Sequence, residues 1–373
     1  MLRNYMGIIN LEEKETDIRS LTNYRPIGTI PIAGRYRVID FMMSNLINAG
    51  ITHVSVFANK STRSLIDHLG SGRPWDLDRK IDGLFVFNHS ILGVTNADAK
   101  LFGSNMEFLN SSKYENVILA SSYMICNLDL EAVAEYHEAS GADITLVYKP
   151  IENAESNFLN CDTIKTGKDS RVVNVSKNIG IEKKANICME IFLMKKKILT
   201  ELMYKAMSDG IRHNFKNMIY NNILAYNVKA YEYGGYVQCI NSVDNYYKTN
   251  MDMLELEVVG ELFSKARPVI TKTKDSPPTQ YVAGSQVHRS ILADGSIIKG
   301  KVTDSVICRS VRIEEGAEVD GCVILQNVII RKGAKLSNVI VDKGVSVDED
   351  VVVQCPKQYP LVFEKKKYFA AVD

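Results

Sequence analysis

Beyond residue 286 the chain keeps a beat that neither a helix nor an open strand follows. Aliphatic side chains fall six apart at Ile307, Ile313, Val319 and Leu325. They slip by one, continue at Ile330 and Leu336, and slip again to Val341, Val347 and Val353. Helical faces repeat at about 3.6 and half-buried strands at about 2. A six-residue repeat instead wraps the chain into coils of short strands and tight corners, each coil stacking its aliphatics on the next. Gly295, Gly300, Gly316, Gly321, Gly333 and Gly344 punctuate the turns. The pattern predicts a β-solenoid over residues 287–373, with a sandwich of irregular strands as the alternative. The tail from Pro356 to Asp373 would cap the last coil or meet a partner subunit.

The first 263 residues have a different texture. Short apolar runs at Met6–Ile9, His53–Phe57, Asn116–Ala120, Asp143–Tyr148 and Ile187–Leu193 read as strands. Helical patterns fall at Phe41–Ala49, Ser61–Leu69, Leu130–Ser140 and Asp244–Phe263. Strands separated by helix-length segments predict an α/β domain with a doubly wound, mostly parallel, Rossmann-like sheet over 1–263. Such sheets bind ligands beyond the carboxyl ends of their strands. Residues 264–286, with Pro268, Pro277, Pro278 and Gly284, read as a linker.

A net charge of +1 argues against a polyanion partner, so no nucleic acid is expected. The N-terminus lacks the apolar run of a signal peptide, and no stretch is long enough to span a membrane. Seven cysteines without a C-x-x-C pair read as reduced, buried thiols in a cytoplasmic protein.

One stretch points at chemistry. Residues 25–51, RPIGTIPIAGRYRVIDFMMSNLINAGI, form a Pro- and Gly-rich loop carrying Arg25, Arg35 and Arg37, then a buried helix with a stop at Asn48-Ala49-Gly50. A basic loop feeding a helix can meet an anion; the same arginines could also be merely solvated. The wording resembles the glucose-1-phosphate adenylyltransferases, the sugar-nucleotide pyrophosphorylases that make ADP-glucose. Arg25, Pro31, Gly34, Tyr36, Arg37, Ile39, Asp40, Phe41, Ser44, Asn45, Asn48, Gly50 and Ile51 match that family's loop. So do the run from Gly72 to Arg79 and the linker wording KDSPPTQYV. The resemblance covers nearly the whole chain and implies a nucleotidyltransferase domain followed by a left-handed β-helix of hexapeptide repeats.

The same resemblance exposes what is missing. The reaction displaces pyrophosphate at the α-phosphorus, which needs backbone contact with phosphates, cations on the developing charge, and carboxylates holding Mg²⁺. The family's GGxGxRL phosphate loop falls on Glu12, Glu13, Lys14, Glu15, Thr16, Asp17 and Ile18. Its glycines have become glutamates and its arginine Asp17. Unit charges about 4 Å apart repel by roughly 1 kcal/mol in water and several times that near a protein surface. A triphosphate therefore fits badly there. The two metal aspartates fall on Ser122 and Cys239, and a loop lysine on Ile27. Neither serine nor cysteine supplies the hard, charged oxygen that Mg²⁺ prefers. The sugar-phosphate lysine aligns with Lys177, flanked by Ser176 and Asn178, and a pocket glycine has become Glu190. Lys177 is either a vestigial sugar-phosphate contact or a solvated side chain.

The resemblance is then to the GlgD-type chains that some bacteria keep beside a catalytic adenylyltransferase. It implies a non-catalytic, regulatory subunit in glycogen synthesis, with no cofactor of its own and Mg²⁺ in the catalytic partner. A heterotetramer is implied, and a small anionic effector for which Arg25 and Arg37 are the candidates. Two alternatives remain. One is an active nucleotidyltransferase whose metal site draws on other acids such as Asp98. The other is a hexapeptide acyltransferase, for which the solenoid offers only His288.

Overall fold

A computed structural model describes residues 1–58, 62–88, 108–208 and 215–365. Strands β1 (Tyr5–Leu11), β2 (His53–Ala58), β3 (Gly83–Asn88) and β4 (Asn116–Ser121) lie side by side and parallel, in the order β4-β1-β2-β3. The long strand β8 (Ala185–Lys195) runs antiparallel to β4 and to β5 (Ile144–Ile151). It also carries the hairpin of β6 (Asp162–Thr166) and β7 (Val172–Lys177). A last strand, β9 (Val228–Glu232), pairs parallel with β5.

In the central strands β1, β2, β4 and β8 both faces are buried, which explains why these read as continuous apolar runs. Along β1 and β4, Ile9, Leu11, Ile118 and Ala120 enter one core. Their neighbours Met6, Ile8, Val117 and Leu119 enter another. Helix α1 (Val38–Asn48) fills the first with Phe41, Met42, Met43 and Leu46. Asp40 holds the start of α1 by accepting from Arg37 N at 2.8 Å, and Gly50, at φ +81°, follows its end. Helices α2 (Arg63–Leu69) and α3 (Leu130–Ser140) flank it. On the second face pack α4 (Lys196–Ser208) and α5 (Phe215–Tyr220), through Leu199, Leu202, Phe215 and Ile219. The helix expected over Asp244–Phe263 is two, α6 (Val243–Asp252) and α7 (Leu256–Leu262).

The solenoid is built from three parallel five-stranded sheets. Ile313 pairs with Ile330 and then Val347; Val319 with Leu336 and then Val353; Ile307 with Ile324 and then Val341. The third face therefore turns on Ile324, and Leu325, expected to point inward, does not. It lies in the core shared with the α/β domain, beside Cys308, Val323 and Ile340. The repeat runs six, six, five, and the one-residue slip belongs to every coil. Neighbouring coils touch closely at Gly300, where a Cβ would stand 2.2 Å from Ala317 O.

The first solenoid strand, Gln280–Tyr281, pairs with Ile297–Ile298 inside the stretch read as linker. The residues before it are pinned along α1, where Ile270 N donates to Ser44 Oγ at 2.8 Å and Asn48 Nδ2 to Pro268 O at 3.1 Å. Helix α6 bridges the two domains. Tyr247 Oη donates to Gly321 O at 2.6 Å, and Asn250 Oδ1 accepts from Ala33 N at 3.1 Å.

Candidate functional site

Asn10 of β1 stands opposite Ser121 of β4, so both strands end at the same level, and their ends open into a cleft of about 640 Å³. Glu12, Glu13 and Asp17 line it; Glu15 turns away, into a neighbouring hollow with Arg19 and Arg25. Glu13 folds inward. Its Oε1 accepts from both Ser122 N and Ser122 Oγ at 2.7 Å. Burial pushes the Glu13 carboxyl up to about 7, against the pull of those two bonds. Asp17 accepts from Asn160 Nδ2 at 3.3 Å, and Glu12 from Asn10 Nδ2 at 3.2 Å. The loop is thus tied down by its own carboxylates.

The donor set does not fit Mg²⁺. Ser122 offers a hydroxyl already bonded to Glu13. Cys239 is fully buried, its thiol raised by burial and by the nearby Cys161 and Glu190. Among the described residues no cluster of three His, Cys, Asp or Glu side chains could hold a metal. Ile27 belongs to the hydrophobic core and does not reach the cleft. Next to it, a Cβ on Gly28 would stand 2.8 Å from Ser122 Oγ, so the basic loop packs directly on the strand end.

Glu190 forms part of the floor on the sugar side of the cleft. Glu190 sits at φ +53°, the left-handed conformation that a glycine takes without strain. Its side chain is buried, and its Oε1 accepts from Tyr123 Oη at 2.6 Å and Lys216 Nζ at 2.5 Å. Lys216 also pairs with Asp162 at 2.7 Å. Burial opposes the Lys216 ammonium, but Glu190 and Asp162 together raise its pKa. Tyr123, Asp162 and Lys216 were not singled out in the sequence, because their grouping is set by strands and helices distant in the chain. Lys177 lies exposed at the cleft wall. Its neighbour Asn178 is structural, donating to Ala154 O and Asn157 O at 2.8 Å.

The two candidate arginines have different surroundings. Arg25 is buried, ion-paired to Asp342 of the solenoid at 2.5 Å, with its Nε on Leu21 O at 2.9 Å. It is an interdomain clamp, not an open anion contact. Arg37 donates to Thr29 O at 2.7 Å, and its pKa is lowered by burial and by Arg25 and Arg309, against the pull of Asp40 and Asp67. Lys274 is lowered by burial and then by Arg309, Arg37 and Lys272. Lys343 is lowered by burial and then by Arg37 and Lys274. Arg37, Lys274, Arg309 and Lys343 thus influence one another from the basic loop, the connection and the solenoid, with Asp40, Asp67 and Asp294 acting against them. Among the described residues none of the four has an ion-pair partner. Arg309 and Lys343 are single cations in unremarkable stretches, Lys274 opens the family-like KDSPPTQYV wording, and no sequence signal joins the three.

Asp98 lies outside the described residues. His288 is exposed on the second strand of the first coil. Six cysteines are buried, Cys355 is half-buried, and all seven are free thiols. No described helix is long and apolar enough to cross a membrane.

Comparison with known proteins agrees with both halves. The nucleotidyl transferase family model matches residues 15–172, and that of the GlmU-like C-terminal hexapeptide matches 277–358. The glycogen biosynthesis protein GlgD of Bacillus subtilis (strain 168) is 30% identical, covering 98% of this chain and 97% of its own. GlgD of Geobacillus stearothermophilus is 32% identical over 86% of this chain and 84% of its own. A glucose-1-phosphate adenylyltransferase of Lachnospira eligens is 28% identical over 77% of this chain and 68% of its own. With both domains matched, and likeness to GlgD from end to end, the chain belongs to the family of the GlgD glycogen biosynthesis proteins and the glucose-1-phosphate adenylyltransferases.

Proposed function

We propose that this chain is a regulatory, catalytically inactive subunit that assembles with catalytic glucose-1-phosphate adenylyltransferase chains. The assembly is a cytoplasmic heterotetramer, and the chain shifts the rate at which its partners make ADP-glucose for glycogen. The observation that carries this reading is Glu13. At the end of β4, where the family's metal aspartate would stand, Ser122 spends its N–H and hydroxyl on a glutamate from the phosphate loop. Mg²⁺ belongs to the catalytic partner. Arg37, with Lys274, Arg309 and Lys343, is the contact for an anionic, phosphate-bearing effector, whose charge would relieve the crowding of the four cations. Effector binding there would bias the domain arrangement that α6 and the Arg25–Asp342 pair hold together.

The test is ADP-glucose formation from ATP and glucose-1-phosphate with Mg²⁺, by the chain alone and mixed with a catalytic homologue from the same source. The expected result is no turnover alone and a changed rate or effector response in the mixture. Turnover by the chain alone, abolished by substitution within its own cleft, would overturn the reading.

A further inference from the structure

We propose that the cleft at the ends of β1 and β4 binds an uncharged saccharide. This rests on the reading of the cleft as non-catalytic and goes beyond it, because it makes the cleft a working site. The space, about 640 Å³, is in the range of small-molecule pockets and lies where open α/β sheets bind ligands. Five carboxylates and three lysines line it, and Lys216 is held by Glu190 and Asp162. Phosphate groups meet a surplus of negative charge there; a neutral polyol meets none.

The wall suits hydroxyls. Each sugar hydroxyl both donates and accepts, and the cleft alternates acceptors (Glu12, Asp17) with donors and amides (Lys177, Asn160, Asn241). Tyr123 and Phe215 border the cleft with the small part of each that the cores leave uncovered. A separate observation points to a missing ligand atom. Ser121 lines the cleft and is only 6% exposed, yet its Oγ has no hydrogen-bond partner. Facing it across the β1–β4 register, Asn10 has an Oδ1 in the same condition. Buried polar atoms in native proteins are nearly always paired. A hydroxyl entering from the cleft would complete both.

The experiment is calorimetry, with saturation-transfer NMR, on the full chain alone, using glucose, maltose and maltotriose against glucose-1-phosphate and ATP. The expected result is saturable binding of at least one neutral sugar, about tenfold tighter than either phosphate compound. Thr16→Trp, at an exposed position on the rim, should block binding without changing thermal unfolding. Ser121→Ala, which breaks no existing bond, should weaken it about fivefold. No neutral-sugar binding at millimolar concentration, phosphates binding as tightly, or an affinity untouched by Thr16→Trp would overturn the proposal. Turnover is measured separately. Failed binding without turnover removes only the saccharide site, whereas turnover removes the reading of an inert chain.

Discussion

Glutamine at position 13 isolates the cost of keeping a carboxylate inside the cleft. Burial moves Glu13 from an ordinary 4.5 to about 7. Each pH unit is worth about 1.4 kcal/mol, so the ionised group costs the folded state about 3 kcal/mol. The sign follows from proton uptake. The folded chain holds this proton more tightly than the unfolded chain, so stability is lost as pH rises from about 4.5 to about 7. Below that window the cost is absent, and above it the cost is paid in full. Glu13→Gln removes the titration and keeps an oxygen that accepts from Ser122 N and Oγ. An amide is a weaker acceptor than a carboxylate by about 1 kcal/mol. The variant should therefore be more stable than wild type by about 2 kcal/mol at pH 8, and equal to it or slightly less stable at pH 4.5. Urea unfolding of both proteins at the two pH values reads this directly. A stability difference that is the same at both, or a Glu13→Gln chain that is less stable at pH 8, would refute the reasoning.

Asp342→Ala leaves the Arg25 guanidinium buried without its carboxylate and should cost about 3–5 kcal/mol in denaturant unfolding. Most of that should return in the double variant Arg25→Met, Asp342→Leu. Lys216→Ala strands Glu190 and Asp162 together and should cost a similar 3–5 kcal/mol, read by thermal unfolding. Gly300→Ala drives a methyl against Ala317 O and should destabilise the chain by about 2 kcal/mol. Arg37→Ala with Lys343→Ala should raise the effector concentration for half-maximal response of the mixed oligomer about tenfold; an unchanged response removes the cation cluster from the effector reading.

The solenoid was legible because its beat is carried by side chains that all bury in one direction. The single misplaced residue shows where such reading ends. Leu325 and Ile324 are equally buried, but Leu325 is apolar for a second reason, its contact with the α/β domain. A linear pattern cannot separate two apolar surfaces back to back. Strands β1, β2, β4, β5 and β8 were legible as apolar runs, whereas β3 and β9 of the same sheet went unread. The hairpin of β6 and β7 was not legible either, because it buries only Asp162 and Ile164 of β6 and Val172 of β7. Helices α6 and α7 read as one because Met253, Leu254 and Glu255 include no glycine or proline to announce the break. In the cleft, the changed residue types at Glu13, Ser122, Cys239 and Glu190 could be read one by one. Their pairings could not: Glu13 with Ser122 and Glu190 with Lys216 are contacts across the sheet. Arg25 shows the same limit, since nothing near it in sequence points to Asp342.

Two of these cleft residues bear on whether the site is merely abandoned. Glu190 holds a left-handed backbone, at a cost of about 1–2 kcal/mol for a residue with a Cβ. Glu13 adds about 3 kcal/mol above pH 7. Together they take a large share of the 5–15 kcal/mol that separates a folded domain from its unfolded chain. Each has a simple remedy, glycine at one position and glutamine at the other. Local costs of this kind are tolerated where the surrounding structure has a use for them. Here they keep the phosphate loop folded against Ser122 and set Lys216 between two carboxylates, leaving an open polar cleft. A collapsed apolar one would be cheaper, and a chain needed only as scaffold would have no reason to maintain the space.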